Sequence, residues 1–114
     1  MEIRGIGFVG SHTPAHVEMS RFLQDVLGLT PMVVDGVGAD LFALANGDVF
    51  GVASLPDDSV AERTIGLLVD DLDGAVAELH EAGVETDGIA ENARWRYTHF
   101  RAPDGKLYEL VEEQ

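Results

Sequence analysis

Apolar positions along the chain follow two periods in turn, and the same succession occurs twice. Residues 3–12, ending Gly7-Phe8-Val9-Gly10-Ser11-His12, have the pattern of a strand. Met19, Phe22, Leu23, Val26 and Leu27 then recur at spacings of three and one, which is one face of a helix. Thr13-Pro14 suits its start, a hydroxyl N-cap with proline in the first helical position, and Gly28 suits its end. Strands are predicted over 30–36, 39–45 and 48–55, divided by Asp35-Gly36 and Asn46-Gly47. The second pass begins with a short buried strand, Ile65–Val69, and a helix cap at Asp70-Asp71. Leu72, Ala75, Val76 and Leu79 form the next helix face and Gly83 closes it. Strands at 84–89, 93–102 and 105–112 follow.

The hairpins carry the repeat most clearly. Phe42 to Val52 turns on Asn46-Gly47, and Phe100 to Leu110 turns on Pro103-Asp104-Gly105, each between apolar strands. The order is βαβββ twice, an internal duplication that determines the architecture. Module 1 covers 1–55, a polar, turn-rich linker covers 56–62, and module 2 covers 63–114. The fold class is α+β, one domain of two modules.

Composition narrows the functions available. A chain of 114 residues with 46% hydrophobic content supports one core. Its mean hydropathy of +0.06 excludes a disordered chain. No apolar run has the length of a membrane span, and the N-terminus lacks the apolar stretch of a signal peptide, so a cytoplasmic protein is expected. Cysteine is absent, which removes disulfides and thiolate metal sites. Twenty-one acidic residues against 7 basic ones give a net charge of −14. Such a chain repels nucleic acid; its charge serves solubility or, in the functional reading, draws cationic ligands. Arg94, Arg96, Arg101 and Lys106 nevertheless cluster near the end, making one strand locally basic.

Three segments resemble the vicinal oxygen chelate superfamily, which includes glyoxalase I, bleomycin-resistance proteins, fosfomycin-resistance enzymes and extradiol dioxygenases. They are Arg21-Phe22-Leu23-Gln24-Asp25-Val26-Leu27-Gly28-Leu29, Val69-Asp70-Asp71-Leu72-Asp73, and Phe100 to Gly105 continuing through Glu109-Leu110. The likeness spans essentially the whole chain. It implies two βαβββ modules whose mixed sheet curls around a cleft, in a homodimer. Metal-dependent members carry His, Glu or Gln on the first and last strands of each module, where a divalent ion holds two substrate oxygens. Carried over one at a time, those positions fall on Phe8, Gly51, Thr64 and Glu109. Only Glu109 is a metal ligand, and one carboxylate does not hold a transition-metal ion. No metal or other cofactor is therefore expected, Glu109 being the single point at which a divalent ion could still attach.

Other residues supply candidate chemistry. Pairing the last hairpin about Pro103-Asp104-Gly105 sets Arg101 near Leu107 and His99 near Glu109, on the face that lines the cleft in this fold. His99 and Glu109 are the candidate catalytic pair, because a carboxylate orients an imidazole and raises its pKa. A plain structural contact is the other reading of the same pair. Phe8 and His12 share a face of the first strand. Together with Trp95, Tyr97 and Arg101 they are the candidate ligand-binding residues, the aromatics offering flat surfaces or simply filling the cleft. His12, His99 and Glu109 form an alternative metal-binding set, while His16 and His80 belong on helix surfaces.

Two functions follow. One is a metal-free protein of the bleomycin-resistance type that sequesters a small aromatic or cationic ligand. The other is a lyase, isomerase or dioxygenase, dependent on a metal or on His99 and Glu109 as an acid–base pair. The expected partners are a small molecule and a second copy of the chain, with neither nucleic acid nor membrane.

Overall fold

The computed structural model describes residues 1–114. The strands are β1 (Gly5–Thr13), β2 (Thr30–Met32), β3 (Asp40–Ala43), β4 (Val49–Ser54), β5 (Glu62–Leu68), β6 (Ala90–Glu91), β7 (Trp95–Arg101) and β8 (Leu107–Glu113). Helix α1 (His16–Arg21) runs into a π turn over Phe22–Val26, and α2 (Leu72–Glu81) lies between β5 and β6. All eight strands form one sheet in the order β2-β3-β4-β1-β5-β8-β7-β6. Each module thus contributes four neighbouring strands. The two modules join where β1 pairs antiparallel with β5, while β1–β4 and β5–β8 are parallel.

Side-chain alternation gives this curled sheet two different faces. On the convex face, Leu23 packs on Phe42 and Val52 beneath the π turn, and Leu72 and Ala75 of α2 pack with Val69 and Leu110. On the concave face, Leu41 and Val49 of module 1 meet Trp95 and Val111 of module 2. That third cluster fills one part of the cleft and ties the curl across it. Gly7 is an extra residue in β1, since Ile6 opposes Leu67 while Phe8 opposes Gly66. Such a bulge bends the strand and shifts the phase of alternation. Ile6 is accordingly 54% exposed, whereas Phe8 turns into the concave face.

The helix ends are where the local sequence is most explicit. Asp71, extended at φ −128°, accepts the N–H of Gly74 at 3.0 Å, the N-cap bond expected of it. At the other end Gly83 adopts φ 82°, and its N–H and that of Val84 reach the carbonyls of His80 and Leu79 at 3.0 and 2.9 Å. This is a Schellman closure, and it requires the left-handed conformation glycine takes without strain.

Three expectations need correction. Thr13 and Pro14 do not begin α1: Thr13 ends β1, its hydroxyl accepts the Ala15 N–H at 3.1 Å, and the helix starts at His16. The hydroxyl therefore organises the turn before the helix. The strand at 84–89 reduces to a single bridge between Thr86 and Phe100, and β6 forms later, at Ala90–Glu91. Glu85-Thr86-Asp87-Gly88 leaves that segment without apolar alternation to bury. The first strand after α1 is also shorter than the predicted 30–36, ending at Met32 before Asp35-Gly36 turns the chain.

Candidate functional site

Phe8 sits at the centre of the concave face, and glycines make room for it. A Cβ on Gly51 would lie 2.7 Å from Phe8 Cε2, and one on Gly10 would lie 2.8 Å from Phe8 Cζ. A Cβ on Gly66 would stand 3.1 Å from Phe8 Cβ. Contacts below 3.0 Å cannot be absorbed without movement, so the ring occupies the volume that side chains at 10 and 51 would need. Three strands, β1, β4 and β5, share this cradle.

Beside the ring lies a cavity of about 240 Å³ walled by both modules. Module 1 contributes β1, the glycine-containing loop 36–39, Leu41, Gly51 and Ala53; module 2 contributes Asn92, β7 and Glu109. Phe8, His12, Trp95, Tyr97, His99 and Glu109 all border it. Strand pairing explains the grouping, because His99 opposes Glu109, Glu109 opposes Gly66, and Gly66 opposes Phe8. His12 follows Phe8 by four residues in the same strand, on the same face.

Arg101 does not join them. Its guanidinium binds the Glu62 carboxylate at 2.6 Å and the Gly105 carbonyl at 2.9 Å, away from the cavity. Arg96 is likewise engaged by Asp73 and Glu112, at 3.3 and 2.8 Å. The locally basic strand is neutralised by acidic neighbours. Trp95 borders the cavity as a core residue: it is 7% exposed, packs with Leu41, Val49 and Val111, and has the Arg94 guanidinium 4.6 Å from its ring centroid. Tyr97 is the more accessible aromatic. His16 contacts Asp40 at 3.2 Å and His80 contacts Thr86 at 2.9 Å, both outside the cavity.

His99 Nε2 stands 2.7 Å from Glu109 Oε2, while its Nδ1 is 3.7 Å from Asp87. The hydrogen bond with Glu109 raises the His99 pKa above its ordinary value, against the effect of burial. His12 moves the other way. Burial lowers its pKa first and the positive charge of His99 adds to this, outweighing Glu62 and Glu109. One wall of the cavity thus holds an imidazole that favours its proton, and the other an imidazole that resists one.

His12 Nδ1 is 3.0 Å from the hydroxyl of Thr64, whose side chain is fully buried. Sequence reasoning placed Thr64 at a family ligand position but missed this partnership, which β1–β5 pairing makes natural because Gly10 opposes Thr64. It also missed Asn92, whose side-chain carbonyl accepts the N–H groups of Arg94 and Trp95 at 2.9 Å each and so launches β7. An asparagine just before an alternating run was the available signal.

These residues do not fit the metal site that the fold's metal-dependent members carry. Phe8, Gly51 and Thr64 offer no imidazole or carboxylate, and the Phe8 ring lies over Gly51. No three His, Asp or Glu side chains are arranged to hold an ion. That includes the set His12, His99 and Glu109.

The chain has the vicinal oxygen chelate fold. Methylmalonyl-CoA epimerase from Mycobacterium tuberculosis superposes with a TM-score of 0.77 at 20% identity, over 98% of this chain and 89% of that one. The 2,3-dioxygenase LapB from Pseudomonas sp. KL28 matches with a TM-score of 0.76 at 22% identity, over 97% of this chain but 41% of its own. A Mn(II)-bound glyoxalase from Novosphingobium aromaticivorans matches with a TM-score of 0.73 at 21% identity, over 96% and 39%. No family model and no curated protein matches the sequence. Likeness at these identities concerns the fold, and the expected two-module curled sheet is the one present.

Two outcomes test this site. Gly51→Ala should destabilise the protein by roughly 1–3 kcal/mol through overpacking against Phe8. Phe8→Leu should relieve part of that cost, so urea denaturation of the four-member cycle should give a coupling of about 1 kcal/mol or more. Additive losses would mean that the ring and the glycine do not share the space. The histidines should titrate apart by NMR, His99 above the usual 6.5 or so and His12 below it. Because the His99 pKa is raised on folding, its stabilisation is complete below the unfolded value and disappears as pH rises through the folded one. His12 has the opposite sign: its contribution is present above the unfolded value and lost as pH falls through the folded one. Glu109→Gln should bring the His99 midpoint down.

Proposed function

We propose that this protein binds a small ring-shaped molecule in the cleft between its modules, without a transition metal, and sequesters it. The observation that carries the reading is the Phe8 ring seated on Gly10, Gly51 and Gly66. It puts an aromatic surface at positions where metal-dependent members of the superfamily hold an ion. Tyr97 and the edge of Trp95 extend that surface, and a volume near 240 Å³ suits a ligand of one or two rings. The −14 charge favours approach of cationic molecules. Glu109 already has His99 as its positive partner, so charge selection rests on the field of the whole protein more than on the cavity wall.

The 2.7 Å His99–Glu109 pair on the cavity wall favours the second reading, acid–base catalysis without a metal. Against it, both ring nitrogens of His99 face carboxylates, which suits holding charge better than accepting a proton from a ligand. Binding should be visible as a change in fluorescence of Trp95, the single tryptophan, against a panel of cationic, neutral and anionic ring compounds. Tyr97→Ala should weaken it about five- to thirtyfold, the equivalent of roughly 1–2 kcal/mol. Zinc, nickel or manganese should leave the thermal midpoint unchanged, because a ligand stabilises only a protein that binds it. A metal-induced rise of many degrees, or turnover abolished by His99→Ala, would replace sequestration with an enzyme.

We also propose a homodimer. Phe22 and Val26 of the π turn and Leu27 just after it are 46, 68 and 55% exposed and close in sequence, an apolar surface that a second copy could cover. Light scattering at micromolar concentration should give twice the 12.3 kDa chain mass. A monomer mass, unchanged in Val26→Glu, would refute it.

A further inference from the structure

The Thr64 hydroxyl is fully buried in β5, and His12 Nδ1, at 3.0 Å, is its one side-chain partner. A hydroxyl carries one donor and two acceptor lone pairs, and a buried donor left unmade costs more than an idle lone pair. The hydroxyl therefore donates, and Nδ1 accepts. An imidazole that accepts at Nδ1 and is neutral must carry its hydrogen on Nε2. His12 Nε2 has no protein partner, yet no buried side-chain nitrogen or oxygen in the structure lacks one. Nε2 is thus accessible, on a residue that borders the cavity.

We propose that His12 presents a neutral Nε2–H donor to the ligand, fixed in that tautomer by Thr64, and that the cavity accordingly takes small ring compounds bearing a carbonyl oxygen. The ligand class rests on the binding reading above. His12 is the recognition residue and Thr64 the positioning residue. The surroundings of His12 suit a neutral donor: Glu62 on β5 is engaged by Arg101, and Glu109 on β8 is engaged by His99 on β7. A hydrogen bond from a neutral imidazole discriminates a carbonyl from a methylene of similar shape by about three- to tenfold.

The test uses the full-length, 15N-labelled protein at pH 7. Long-range proton–nitrogen correlations should show the Nε2–H tautomer of His12 alone in the wild type and in Thr64→Ser, and an admixture of the Nδ1–H tautomer in Thr64→Val. Acetophenone and ethylbenzene, which differ at one acceptor, are then titrated and followed by amide shifts. Acetophenone should bind about three- to tenfold tighter than ethylbenzene, and the ratio should fall to near one in His12→Leu, fall part of the way in Thr64→Val and recover in Thr64→Ser. An Nδ1–H tautomer in the wild type overturns the proposal even if both compounds bind. A ratio that persists in His12→Leu overturns it as well. Binding of neither compound, with the Nε2–H tautomer in place, supports the oriented donor and refutes the aromatic pocket on which the ligand class rests.

Discussion

The packing of one benzyl ring against three glycines governs the interior of this protein. Phe8 reaches across β1 to β4 and β5, and the absence of Cβ atoms at 10 and 51 is what allows it. The bulge at Gly7 sets the phase that turns the ring inward. Once the ring is there, Leu41, Val49, Trp95 and Val111 can close around it and couple the two modules through an apolar cluster. The cavity is the space this arrangement leaves, so its size and its polar contents follow from the ring's position.

Electrostatics inside that space is organised by pairing. An acidic chain with 21 carboxylates has few buried ones, and the one on the cavity wall, Glu109, is 9% exposed and matched by His99. Desolvation would penalise that carboxylate if it stood alone. The charge on His99 then acts on His12 across the cavity and helps keep the second imidazole neutral. Two histidines of identical intrinsic chemistry are thereby given different protonation behaviour by their surroundings, a hydrogen-bonded carboxylate for His99 and, for His12, burial and the charge of the other imidazole.

The fold was legible in the sequence wherever one residue controls one local event. Asp71 and Gly83 bound α2 as their chemistry dictates, and the Pro103-Asp104-Gly105 turn fixed the alignment of His99 with Glu109. Signals that depend on what lies opposite were less legible. Thr13 carries a cap-forming hydroxyl, but β1 continues through it because it pairs with Ser54 of β4. Arg101 falls on the cavity-facing side of β7 by alternation, but its long side chain turns to Glu62, a residue 39 positions away. Thr64 was visible only as a missing ligand, since its bond to His12 depends on a strand pairing between modules. Linear patterns report local conformation well and partner choice poorly.

The seam between the modules has a consequence for how the chain reaches this structure. β1 must wait for β4 and then β5 before both of its edges are satisfied, and β5 must wait for β8, which is the last element made. The central strands therefore depend on contacts of long sequence separation, and loop closure precedes the reward for it. During synthesis the first βαβββ unit would carry the open β1 edge until the second arrives. Topology, more than the stability of either half, then sets how fast a duplicated architecture of this kind forms.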